Sequence, residues 1–141
     1  MRELIVAEAH SWLDVPFRIG GNDRSGIDCS HLAGKCLRAA GFKIIAWCDW
    51  LFLNLPVKPL HLLEFGDLVF WQLKNNHPSN RLIRHVGIYI GDQQIIHASS
   101  LAGRVIKSAA SSSDLDHLVF VEARTEEMIR QWIQEIQKRP S

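Results

Sequence analysis

Several absences narrow this 141-residue chain before any residue is singled out. Neither sign of charge is in excess: 16 lysines and arginines against 15 aspartates and glutamates leave a formal net charge of +1. That gives no electrostatic footing for nucleic acid or an anionic membrane surface. No Cys-x-x-Cys pair occurs, and three cysteines, an odd number, do not make a disulfide framework. A structural zinc site is therefore not expected despite seven histidines, and neither metal nor other cofactor is called for. No apolar run reaches the length of a membrane span; the most apolar stretch, 44–55, is broken by Asp49 and Asn54. The first ten residues carry Arg2, Glu3, Glu8 and His10 where a signal peptide needs an unbroken apolar segment. No cleavable leader is expected, so the chain as encoded reads as cytoplasmic, and reaching an outside target would take a specialised export route.

What is present reads as one domain over residues 1–141, long enough to bury a core without staples. There is no internal repeat and no low-complexity tract beyond Ser111–Ser113. Residues 3 to about 14 have the spacing of an amphipathic helix with Ile5, Ala9, Trp12 and Leu13 inward, ended by Pro16. Residues 16–21 look extended, and a flexible polar approach, 20–26, follows. Leu32, Ala33, Cys36, Leu37 and Ala40 then recur at helical spacing, with Gly41 as the stop. The segment from Phe42 to Leu55 is aromatic and apolar and fits a helix or a buried strand equally.

The second half alternates as strands. They are expected at 67–71, 85–90, 95–98, near 104–107 and near 117–123, with a polar loop over 74–84 and a last helix capped by Thr125. Helices first and strands afterwards give an α+β class: a helix packed on an antiparallel sheet of about five strands, with flanking N- and C-terminal helices.

The chain is organised around Gly26-Ile27-Asp28-Cys29-Ser30-His31-Leu32. Cys29 falls in the first turn of its helix, where outward N–H groups and the helix dipole favour negative charge. A thiol so placed gives up its proton more readily, and the thiolate is the nucleophile. Cys36 and Cys48 read as buried apolar residues. A thiol nucleophile needs a base, and a further polar group to hold that base in the right tautomer. His85 and His97, on one expected hairpin, fit those roles. His10, His61, His77 and His117 read as structural or exposed, and His31 as a pocket wall.

Hairpin geometry sets a condition on the pair. Directly opposed residues of antiparallel strands point to the same face, so His85 and His97 share a face only if the connection has odd parity. A three-residue loop, Gly91-Asp92-Gln93, would place Gly87 across from His97 and His85 on the diagonal; a β-bulge would restore the same parity.

Four blocks in order carry a resemblance: Pro16-Phe17-Arg18-Ile19-Gly20-Gly21, Asp28-Cys29-Ser30, Gly66-Asp67-Leu68-Val69-Phe70-Trp71, and Arg84-His85-Val86-Gly87-Ile88-Tyr89-Ile90-Gly91 followed by Ile96-His97-Ala98. They resemble the NlpC-type family of cell-wall cysteine peptidases. The resemblance implies a papain-like fold and hydrolysis of peptidoglycan stem peptides or muropeptides at the bond between γ-linked D-glutamate and diaminopimelate or lysine. It assigns Cys29 as nucleophile, His85 as base, His97 as the residue that orients it, and Asp28 and Ser30 to the substrate's amino end. Phe17 stands where that family commonly has tyrosine and His31 where glycine usually follows Asp-Cys-Ser; both would line the substrate pocket. The segment 43–59 does not match the family's usual one. Other readings of the same residues are a thiol-dependent amidase or acyltransferase, a non-catalytic module that binds wall peptides, and, least favoured, a metal hydrolase built on His85, His97 and Asp28.

Overall fold

The computed structural model describes residues 1–42, 62–73, 85–109 and 118–124, together with Gln131 and Gln134. Helix α1 spans Arg2–Ser11 and buries Ile5 and Ala9, with Trp12 buried at its C-cap. It closes before the expected end at residue 14. The N–H groups of Trp12 and Leu13 fold back onto the carbonyls of Ala9 and His10 at 3.2 Å each, and Asp14 takes a left-handed φ of 71°. Pro16 is thus not the terminator; it lies further on, in a bridge to Arg104.

The glycine-rich approach is ordered rather than flexible. Two short strands, β1 (Asn22–Asp23) and β2 (Gly26–Ile27), pair antiparallel. The Asp23 carboxylate closes their turn by accepting from the N–H and hydroxyl of Ser25 at 2.9 and 2.6 Å. Gly21 is required here: a Cβ at that position would sit 2.4 Å from the carbonyl oxygen of Gly26. The Arg24 guanidinium lies 3.7 Å over the Trp12 ring and donates to the Ser11 carbonyl, pinning the ribbon to the end of α1. Of the 16–21 segment, only Pro16 and Phe17 make strand-like bridges, and Gly20 turns the chain at φ 73°.

Helix α2, Cys29–Ala39, follows at once and buries Leu32, Ala33, Cys36 and Leu37, the stripe expected from spacing, with Ala40 buried at its C-cap. Gly41, at φ 95°, ends it as expected. The sheet comprises β3 (Leu68–Leu73), β4 (His85–Gly91), β5 (Gln94–Ser99), β6 (Arg104–Ala109) and β7 (Leu118–Arg124) in the order β6-β5-β4-β3-β7, with antiparallel pairing throughout. Each expected strand is present, displaced by a residue or two at its ends. The helices pack together; α1 also meets β4, and α2 meets β4 and β5. Leu32, Leu37, Phe70, Val86 and Ile88 belong to one apolar cluster between the layers.

Asp67, fully buried just before β3, is paired with Arg2 at 2.7 Å and accepts the Glu64 N–H at 2.8 Å. This ties the start of α1 to the strand entry. The architecture is α+β, as the order of elements implied. The segment 43–61, the loop over 74–84, the serine run, Cys48, His61, His77 and His117 lie outside the described residues. So does nearly all of the expected last helix, of which Gln131 and Gln134 are helical.

Candidate active site

Cys29 is the first residue of α2, half-buried against the core. The residue before it builds the turn. Asp28 has extended backbone (φ −102°, ψ 176°), and its carboxylate caps the helix. Oδ1 accepts the His31 N–H at 2.9 Å and the Ser30 hydroxyl at 3.1 Å, and meets His31 Nδ1 at 2.8 Å. Oδ2 accepts the Gly20 N–H at 2.9 Å, while the Asp28 N–H donates to the Gly21 carbonyl at 3.2 Å. One carboxylate therefore joins the ribbon to the helix start and fixes the backbone that carries the thiol. The capping role was not read from the sequence, although Asp immediately before a helical stripe is a standard N-cap signature. His31 turns its ring back onto that carboxylate. Phe17 is half-buried, bridged to Ile27 in parallel register.

The two histidines come together on the sheet. Across β4 and β5, Ile88 faces Ile96 and Tyr89 faces Ile95, but Gly91 faces Gln94, so Ile90 is an extra residue, a bulge. The turn itself has two residues, Asp92 and Gln93, at φ 53° and 60°. Parity is thus restored by the bulge rather than by a three-residue loop, and extending the Ile88–Ile96 register by one residue sets His97 across from Gly87. The outcome is a direct contact: His85 Nε2 lies 2.7 Å from His97 Nδ1, with the rings near perpendicular at 84°.

His97 is only 1% exposed. Burial, and then the nearby charge of His85, push its pKa down from 6.5 to about 3, so it is neutral at ordinary pH. Its second nitrogen, Nε2, lies 3.1 Å from the hydroxyl of Ser108 on β6. Ser108 was not singled out in the sequence; it sits one residue past the strand expected at 104–107. Burial also drives the Cys36 thiol strongly upward, so it stays protonated and inert. Among the described residues no group of three or more His, Cys, Asp or Glu side chains is arranged to hold a metal ion, and no helix is long and apolar enough to cross a membrane.

The sequence-predicted residues therefore fall into two clusters, Asp28–His31 at the start of α2 and His85 with His97 on β4 and β5, the strands against which α2 packs. The chain is 30% identical over 116 residues to the murein DD-endopeptidase MepS/murein LD-carboxypeptidase of Escherichia coli, a match covering 77% of this chain and 55% of that protein. It is 34% identical over 107 residues to the probable endopeptidase NlpC of the same organism, covering 68% of this chain and 60% of the relative. This chain thus spans little more than half the length of these relatives. The crystal structure of the NlpC/p60 domain of the peptidoglycan hydrolase SagA superposes with a TM-score of 0.70 at 27% identity, over 89% of this chain and 98% of that one. The NlpC/P60 family pattern matches residues 14–124, a span that takes in both clusters and the strands between them, and the chain accordingly belongs to the NlpC/P60 family.

Proposed function

We propose that this chain is a cysteine endopeptidase of peptidoglycan stem peptides, cutting the bond between γ-linked D-glutamate and diaminopimelate or lysine. The observation that carries the thiol-peptidase reading is the 2.7 Å contact between His85 and a buried, neutral His97, on strands beneath the helix that begins with Cys29, while the bond is what the family resemblance implies.

The tautomers follow from the charged state. When His85 holds the thiol's proton, both of its ring nitrogens carry hydrogen, so Nε2–H must donate and His97 Nδ1 must accept. Neutral His97 then carries its own hydrogen on Nε2, toward Ser108. Nδ1 of His85 is left to serve the thiol. Cys29 Sγ attacks the amide carbonyl, and the oxyanion lies at the helix start, where first-turn N–H groups point outward. His85 gives its proton to the departing amine nitrogen as the C–N bond breaks, leaving a thioester. It then takes a proton from water, whose oxygen adds to the thioester carbon. Collapse of that adduct breaks the C–S bond, releases the carboxylic acid and leaves the Cys29 thiolate beside protonated His85. Asp28 and Ser30 border the acyl side, with His31 and Phe17 as the flanking walls.

Mass spectrometry of defined muropeptides, incubated with the wild type and with Cys29→Ala, tests this. Scission at the γ-D-glutamyl bond by the wild type alone is expected. Cleavage at a D,D cross-link instead would move the assignment to the bond named for MepS. Intact peptides that nonetheless bind would make this a recognition module, and turnover by Cys29→Ala would remove the thiol mechanism.

A further inference from the structure

Each ring nitrogen of the buried histidine meets a side chain, and the functional reading uses only one of these contacts. His97 Nδ1 meets His85, while Nε2 lies 3.1 Å from the Ser108 hydroxyl on β6. Ser108 faces Ile95 across the β5–β6 ladder, and His97 faces Ile106, so the serine reaches His97 diagonally on the same face of the sheet.

An imidazole that stays neutral still has a choice of tautomer, and the choice decides whether the pair works. With hydrogen on Nδ1, His97 would present an N–H to His85 and force that ring to accept through Nε2. The hydrogen of His85 would then sit on Nδ1, the atom that must take the thiol's proton. With hydrogen on Nε2, the arrangement is the productive one. The Ser108 hydroxyl, 3.1 Å from Nε2, can donate or accept; once the charged pair requires His97 Nδ1 to accept, the hydrogen lies on Nε2 and the hydroxyl oxygen accepts it.

We propose that Ser108 is a positioning residue for the reaction: its hydroxyl accepts the Nε2–H of His97 when Nδ1 accepts from His85, and so supports the thiolate–imidazolium pair. This rests on the reading of Cys29 and His85 as that pair. Ser108 acts through His97. Losing one neutral hydrogen bond corresponds to a roughly three- to ten-fold fall in rate. Because Ser108 is half-buried, water can partly take its place, which favours the lower figure.

Ser108→Val and Ser108→Thr form the test, since they share a shape and differ in the hydroxyl, and both suit a strand. Cys29 is alkylated with iodoacetamide across a pH series and its peptide is quantified by mass spectrometry, a readout of the ion pair that needs no substrate. With hydroxyl lost, the imidazolium of the pair is less well supported, so the alkaline edge of the ion-pair region moves to lower pH. Ser108→Thr keeps the wild-type profile. Within the ion-pair region, nitrogen-15 spectra of the His97 ring report the Nε2–H form in wild type and Ser108→Thr and less of it in Ser108→Val. On muropeptides, kcat falls about three- to ten-fold in Ser108→Val with KM unchanged. Equal profiles and equal ring spectra for Val and Thr would overturn the proposal. His85→Ala separates the two levels: if it leaves the alkylation profile of the wild type intact, the Cys29–His85 reading fails; if it alters the profile while Ser108→Val does not, only the role of Ser108 fails.

Discussion

His97→Asn separates the electrostatic cost of burying an imidazole from its catalytic use. The folded chain binds a proton on His97 only below about pH 3, whereas an exposed histidine binds one below 6.5. Between those values the unfolded chain holds the extra proton, so stability rises with pH across the window and is lost as pH falls through it. The slope is about 1.4 kcal/mol per pH unit, and the accumulated loss between about pH 7.5 and about pH 4.5 is roughly 2.5 kcal/mol. Asparagine does not titrate, and its side-chain oxygen can still accept from His85. Urea unfolding of both proteins at the two pH values gives the comparison, because the carboxylates titrate alike in each and cancel. The wild type should lose about 2.5 kcal/mol more than the variant on acidification. Equal losses, within about 0.5 kcal/mol, would mean that His97 is not held neutral and that the tautomer argument has no basis.

Three further changes probe the supports of the site. Gly21→Ala puts a methyl group against the Gly26 carbonyl, and should cost about 1–3 kcal/mol in urea unfolding and lower turnover by disturbing the Asp28 cap. Asp28→Ala should destabilise α2 by about 1–2 kcal/mol, while Asp28→Asn, which still caps, should restore most of that in thermal melts. Arg2→Ala removes the 2.7 Å ion pair to the buried Asp67 carboxylate and should cost about 3 kcal/mol by denaturant titration, with the pH profile of activity unchanged.

How much of this was legible in the sequence depended on the periodicity each element carries. Helix α2 could be placed because five apolar residues repeat at helical spacing before a glycine, and all five are buried. The His85–His97 pair could be placed because β4 and β5 alternate, and alternation fixes sidedness. The β1–β2 ribbon could not: its strands are two residues long, too short for a pattern, and its anchor, Arg24 on Trp12, is a contact between distant residues. The end of α1 was misplaced because Asp14 adopts a left-handed conformation that no neighbouring glycine announces. Ser108 was invisible because a serine near a strand end is common and has no meaning until the ladder puts it beside His97. Asp28 was noticed for its chemistry, which hid its commoner employment as a helix cap.

The extra residue at Ile90 has a consequence for how the hairpin tolerates changes in length. Because it is looped out of the ladder, its removal would leave Tyr89 across from Ile95 and the Asp92–Gln93 turn intact, and His97 would keep its side of the sheet. A single added residue finds no such slack and must be taken up by reshaping the turn or by slipping β5 past β4. Shortening by one should therefore be the milder edit.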